Sequence, residues 1–513
     1  MAVPLSLRVK IEYPVSRRVT MRTEHFDVVV VGAGLSGIGA GYHLQTLCPD
    51  RSYVILEGRA TLGGTWDLFR YPGIRSDSDM YTLGYAFKPW TEAKAIADGP
   101  SILQYVGDTA RDYGIDQHIR FGHHVQTASW STSDARWTVR ADGPDGPASF
   151  TCNFLFMCSG YYNYARGHTP DWAGTEQFAG RIVHPQFWPA DLDYAGKEVV
   201  VIGSGATAVT LVPAMAQTAA HVTMLQRSPT YVVSRPAEDA TANWLRRKLP
   251  AMLAYRLVRW RNVLLGMAFF NLARKRPSKT KERLINMVRD QLGPDYDVAK
   301  HFTPSYNPWD QRLCLVPDAD LFDALKTGKA SVVTDTIAHF TPDGITLASG
   351  AEVPADIVVT ATGLELQLLS DVAFSVDGEA VDLADTYNYK GMMYSGVPNM
   401  ASSFGYTNAS WTLKADLTCG YVCRLLNTMK TRGLRQATPT LEGALPEPKP
   451  FLDFTSGYVT RAMARFPKQG DKSPWRLHQN YARDLLTLRF GSVDDAMVFS
   501  NPASTKRTDK IAA

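Results

Sequence analysis

The chain has 513 residues, of which 45% are hydrophobic and 20% charged, with a formal net charge of +4. That is the composition of a globular protein with two or three cores, and so small a charge surplus gives no reason to expect nucleic acid as a partner. Six cysteines (Cys48, Cys152, Cys158, Cys314, Cys419, Cys423) lie scattered without a C-x-x-C pair, which argues against a disulfide framework, a zinc site or a dithiol redox centre and fits a reducing, cytoplasmic compartment.

Residues 1–23 are basic but lack an apolar h-region, so they read as an extension rather than a secretory signal, with Met21 as an alternative start. The next segment, FDVVVVGAGLSGIGAGYHL (residues 26–44), is a β-branched run, then Gly32-x-Gly34-x-x-Gly37, then small and apolar residues at helical spacing. Strand, tight turn and helix together form a dinucleotide fingerprint, with a pyrophosphate at the helix N-terminus. The following strand, SYVILE, ends in Glu57, 23 residues after Gly34, where a carboxylate binds ribose hydroxyls. This first site suits the unphosphorylated adenosine of FAD.

Two strands, FLFMCSG (154–160) and ADIVVTATG (355–363), end in small-residue turns and mark where the chain enters and leaves an inserted domain. Inside it, KEVVVIGSGATAVTLV (197–212) repeats the pattern as Gly203-x-Gly205-x-x-Ala208. Its second strand, HVTMLQR, ends not in an acid but in Arg227 and Ser228. An arginine there accommodates a 2′-phosphate that a carboxylate would repel, so the second site suits NADPH. Two such sites imply electron transfer between two cofactors, and without a dithiol the reduced flavin must react with another acceptor, of which dioxygen is the leading candidate.

Residues 236–300 hold 14 Lys/Arg against 6 Asp/Glu. Aromatics and leucines interleave with these charges, a pattern of amphipathic helices broken near Pro250 and Pro277. The longest nearly apolar run, residues 263–273, has 11 residues, short of the ~20 that span a bilayer. A basic amphipathic helix also opens peripheral association with an anionic membrane. The organisation read from these elements is α/β with two Rossmann-like domains, the second inserted in the first. It comprises an extension (1–23), an FAD-binding part (24–160), an NADPH-binding part (161–235), a helical insertion (236–305), the rest of the NADPH domain (306–363), the rest of the FAD domain (364–500) and a tail (501–513).

Between the two nucleotide units lies FAGRIVHPQFWP (178–189). Its Phe178-x-Gly180-x-x-x-His184-x-x-x-Trp188-Pro189 matches a fingerprint of type I Baeyer–Villiger monooxygenases. A second signature of that family fits Gly64-Thr65-Trp66, then Tyr71-Pro72-Gly73, then Asp77. Both glycine motifs also occur in the family's order. The segments GGTWDLFRYPGIRSDSDMYTLG, YNPWDQRLCLVPD and GYTNASWTLKAD resemble its ethionamide-activating subgroup, and the likeness runs from about residue 24 to 495.

The resemblance implies an enzyme in which NADPH reduces FAD and dioxygen is trapped as a C4a-peroxyflavin. One oxygen atom is then inserted into a ketone to give an ester or lactone, and thioethers are also oxidised. It implies a catalytic arginine at Arg312, a carboxylate partner at Asp77, and a loop Tyr406-Thr407-Asn408 bordering flavin or substrate. A helical subdomain over the nicotinamide site corresponds to 236–305. His184, in the linker, reads as a hinge or hydrogen-bonding residue rather than an acid or base. Gln311 stands where many members carry a lysine for the 2′-phosphate, which throws NADPH preference onto Arg227 and Ser228. Trp411 has no assigned role. The alternatives are a monooxygenase confined to sulfur or nitrogen, and an NADPH oxidase or redox sensor.

Overall fold

The computed structural model describes residues 23–311, 313–443, 445–452 and 454–502. The expected extension up to residue 22, the tail from residue 503 and Arg312 lie outside the described residues.

Two sheets organise the chain. The larger is nine-stranded. At its centre Thr23–Val31 runs parallel to Tyr53–Leu56 on one side and to Gly146–Met157 on the other. Val28, Val29 and Val30 are fully buried there, as a continuous apolar run in a sheet covered on both faces requires. One edge extends through the antiparallel strands His124–Ser131 and Arg136–Gly143. The other face of the story is the return of the chain: Ala373–Val376 and Met400–Ser402 pair with this same sheet after the second sheet is complete.

The second sheet has five parallel strands, in the order Ala330–Thr334, His221–Gln226, Glu198–Ile202, Ile357–Thr360 and Arg181–Val183. Outgoing Tyr162–Gly167 and returning Leu364–Leu366 pair antiparallel, so both crossings between the sheets form one ribbon. The architecture is α/β with two Rossmann-like units, the second threaded into the first.

The insertion folds as Ala240–Lys248, Ala251–Lys275 and Pro277–Leu292, broken at the two prolines. Proline fixes φ and lacks an N–H, which suits a first helical turn and ends a preceding one. The insertion does not sit over the nicotinamide unit alone. Ala251–Lys275 packs on Met80–Leu83 of the first unit, while Pro277–Leu292 packs on Val232–Arg235 and Asp320–Lys326 of the second. Its buried Arg259 donates to the carbonyls of Tyr81 and Gly84, both at 2.8 Å, which satisfies a charge that would be costly to bury bare. Among the described residues no helix is long and apolar enough to cross a membrane.

Candidate functional site

At the carboxyl end of Thr23–Val31 the chain turns through Gly32, at φ +102°, into the helix Leu35–Leu47. A Cβ on Gly37 would lie 1.8 Å from the Gly32 carbonyl oxygen, so helix and turn meet backbone to backbone. Gly34 is the N-cap, with no capping side chain and no acidic residue in the first turn. The free N–H groups and positive helix end are therefore left for an anion. Glu57 is buried beside this turn. Its carboxylate accepts from the N–H of Ala33 at 2.7 Å and of Arg59 at 2.9 Å. Burial raises its pKa, and the two amide donors work against that rise. The acid braces the glycine turn and lines the cleft beside it.

These groups open into a cleft of about 510 Å³, within the range of small-molecule sites. It runs from Gly34 and Glu57 past Gly64, Thr65, Trp66 and Asp77 to Ala206 and Thr207, at the start of the second glycine-loop helix. Tyr161 and Trp411 line it as a stacked pair, with ring centroids 4.9 Å apart. The Trp411 indole donates to Ser36 Oγ at 2.8 Å, fixing it over the first glycine turn. Tyr164 is bonded to Thr65, and burial pushes its pKa up to about 12, so it stays a neutral hydroxyl. Two polar atoms of cleft residues, Ser159 Oγ and Arg59 Nη1, are buried with no protein partner among the described residues. A glycine cradle, an uncapped helix N-terminus and orphaned polar atoms in one cleft fit a dinucleotide such as FAD.

The second turn repeats the geometry with less enclosure. Gly203 has φ +139°, and Gly205 caps Ala206–Met215 with neither a side-chain cap nor an acid in the first turn. Ala208 is fully buried where the first motif has Gly37. Arg227 and Ser228 are exposed just beyond His221–Gln226. Ser204 Oγ donates to the Ser228 carbonyl at 3.0 Å, which holds that segment beside the turn. The two units meet directly: the Tyr71 hydroxyl bonds Thr207, and Arg75 pairs with Asp320.

Among the described residues lining the cleft none comes from the 178–189 fingerprint. Phe178 is buried against Phe340, and a Cβ on Gly180 would meet the Asp356 carbonyl at 2.1 Å. His184 Nδ1 accepts from the Gln186 N–H at 3.2 Å, which leaves the proton on Nε2 to donate to the Gly363 carbonyl at 3.3 Å. Its ring also packs on the backbone of Gly167. Gly167 and Gly363 belong to the outgoing and returning crossings, so His184 clamps the ribbon that joins the sheets. Burial lowers its pKa and keeps the ring neutral. Trp188 packs half-buried against Tyr194.

A model of flavin-binding monooxygenase-like proteins matches residues 95–286, and one of NAD(P)-binding Rossmann-like domains matches residues 30–94. The FAD-containing monooxygenase EthA of Mycobacterium tuberculosis is 58% identical over 474 residues, covering 92% of this chain and 97% of that protein. The chain belongs to the flavin-binding monooxygenase family. It is thus a flavin-dependent monooxygenase. Its fold is shared by a steroid monooxygenase solved with NADP (TM-score 0.72, 23% identity, 93% of this chain and 100% of that one). It is shared equally by a cyclohexanone monooxygenase solved with epsilon-caprolactone (TM-score 0.73, 19% identity, 93% and 100%).

In this flavin monooxygenase the cleft gathers Gly32, Gly34, Glu57, Gly64, Thr65, Trp66 and Asp77, while Gly37 packs behind it. Asn408 turns elsewhere: its amide donates to the Gln479 carbonyl at 2.9 Å, and the loop's cleft-lining residues are Tyr406 and Ala409. Sequence reasoning missed Tyr161, Arg59 and Trp411. Trp411 was legible only as an aromatic at a helix start, since its direction depends on Ser36 and Tyr161, both remote in sequence.

Proposed function

We propose that this flavin monooxygenase is an NADPH- and O2-dependent Baeyer–Villiger enzyme. A ketone, O2, NADPH and a proton give an ester or lactone, NADP+ and water; a thioether in place of the ketone gives a sulfoxide. The observation that carries this reading is the single cleft reaching from Glu57 and Gly34 to Ala206 and Thr207, which supports hydride transfer between two bound cofactors in one enclosed space.

Bound FAD, once reduced by NADPH, supplies the activation of O2. Glu57 would accept from the adenosine ribose hydroxyls of FAD, and the first helix N-terminus would receive its pyrophosphate. The second helix N-terminus receives the pyrophosphate of NADPH, with Arg227 and Ser228 at the 2′-phosphate. Asp77 lies in the cleft wall, and a carboxylate there would position the guanidinium of Arg312, its partner in the family resemblance, by a charge-assisted hydrogen bond. Arg312, permanently protonated, offsets negative charge that develops as oxygen adds to the carbonyl. Tyr161 and Trp411 keep water from one wall. His184 holds the crossing ribbon, and through it the spacing of the two units.

The test is a mass-spectrometric screen of ketones and sulfides with NADPH, run beside Arg312→Ala. Ester from wild type and its loss in the variant are expected. Ester formation by the variant at the wild-type rate would overturn the role of Arg312. Sulfoxide without any ester would move the enzyme to a sulfur-oxidising class.

A further inference from the structure

The long insertion helix has two unlike faces. Ala251–Lys275 buries Tyr255, Val258, Arg259 and Val263, and Val263 packs against Tyr406, a residue of the cleft wall. The opposite face carries Leu253, Leu257, Trp260 and Leu264, at successive spacings of four, three and four residues. Those steps keep all four on one stripe of the helix, about 16 Å long. All are exposed, Leu257 by 48% and Leu264 by 58%. Single exposed leucines are ordinary, but a continuous stripe is a binding surface.

The stripe continues beyond its helix. The Trp260 ring meets that of Tyr481, centroids 5.8 Å apart. Tyr481 begins the helix Tyr481–Arg489, which exposes Leu486 and, just past its end, Phe490. The helix's own charges are all positive. Ala251–Lys275 has no acidic residue, but of its five cations Arg259 is buried, Arg261 pairs with Asp239 and Arg274 pairs with Asp310, so Arg256 and Lys275 are the ones the helix offers to a ligand. Arg256 and Lys275 are exposed beside the stripe, and the Arg489 guanidinium lies 5.7 Å from the Phe490 ring centroid.

We infer that this face docks on an anionic lipid surface. The apolar stripe enters the headgroup boundary, and the exposed Arg256, Lys275 and Arg489 meet lipid phosphates. A second copy of the chain is disfavoured as occupant, because a self-complementary contact would set one basic rim against another. A neutral bilayer would take the leucines but leave the cations without counter-charge.

The FAD-loaded full chain is floated with vesicles of phosphatidylcholine, alone or mixed with phosphatidylglycerol. Binding to the anionic vesicles at low salt should exceed that to neutral ones by about tenfold or more, and fall as salt shortens the screening length. Leu257→Glu with Leu264→Glu should abolish it while FAD content and NADPH oxidation stay at wild-type levels. Arg256→Glu with Lys275→Glu should weaken it while leaving residual binding. Absence of wild-type binding at low salt, or equal binding to both lipids, would overturn the inference. So would a wild-type dimer that ignores vesicles and that the leucine variant splits, which would assign the face to self-association.

Discussion

The two glycine turns share strand, φ-positive first glycine, uncapped helix and neighbouring strand, yet they are built to different tolerances. In the first, Gly37 touches the Gly32 backbone so closely that an added Cβ would sit 1.8 Å from a carbonyl oxygen. A buried acid, Glu57, is hydrogen-bonded into the turn itself. In the second, Ala208 is accepted at the equivalent step, and Arg227, proposed to select the nucleotide, stands exposed. On the proposed reading the closed turn would hold a resident cofactor and the open one a ligand that comes and goes.

That contrast breaks most sharply at the third motif position. Gly37→Val has no side chain able to yield and should abolish FAD retention, measured as flavin absorbance per chain. Ala208→Gly should cost only about 1 kcal/mol of helix stability and keep the flavin. Equal flavin content in both variants would remove the distinction. Next comes Arg227→Ala. Losing a charged hydrogen-bond partner is worth about 1.5–3 kcal/mol, so kcat/KM for NADPH should fall roughly 10- to 100-fold. NADH turnover and bound FAD should be unchanged. Wild-type enzyme that used both nicotinamides equally would contradict the assignment.

His184→Ala should slow turnover several-fold with FAD still bound, because it loosens the ribbon rather than either turn; loss of the flavin would mark a folding role instead. The smallest effect is on pH. Burial lowers the pKa of His184, and likewise those of His168 and His301, below the ordinary histidine value of 6.5. Their contribution is therefore complete above that value and declines as pH falls through it, because the unfolded chain then binds protons the folded chain refuses. Melting temperature should drop on acidification below 6.5, and drop less in His184→Gln; an equal drop in both would clear His184 of the effect.

Much of this architecture is written locally. A β-branched run followed by glycines at fixed spacing specifies each nucleotide turn, and Pro250 and Pro277 fall where insertion helices begin. The strands His124–Ser131 and Arg136–Gly143 were not anticipated. They alternate buried and exposed residues inside the sheet, and their partners become evident only once it has folded. The fingerprint residues could be recognised as a pattern, but their work could not be read from it. Phe178 and Gly180 pack within the second unit against Phe340 and Asp356, and His184 holds the crossing at Gly363, all far along the chain. The direction of Asn408 was hidden for the same kind of reason, because its amide donates to a carbonyl 71 residues later.

The account rests on oxygen from O2 entering a carbon–carbon bond of a ketone. Purified enzyme given NADPH, a simple ketone and 18O2 should yield ester carrying one 18O atom, with NADPH consumed in equal amount. Hydrogen peroxide equal to the NADPH consumed, with no labelled ester from any ketone offered, would contradict it.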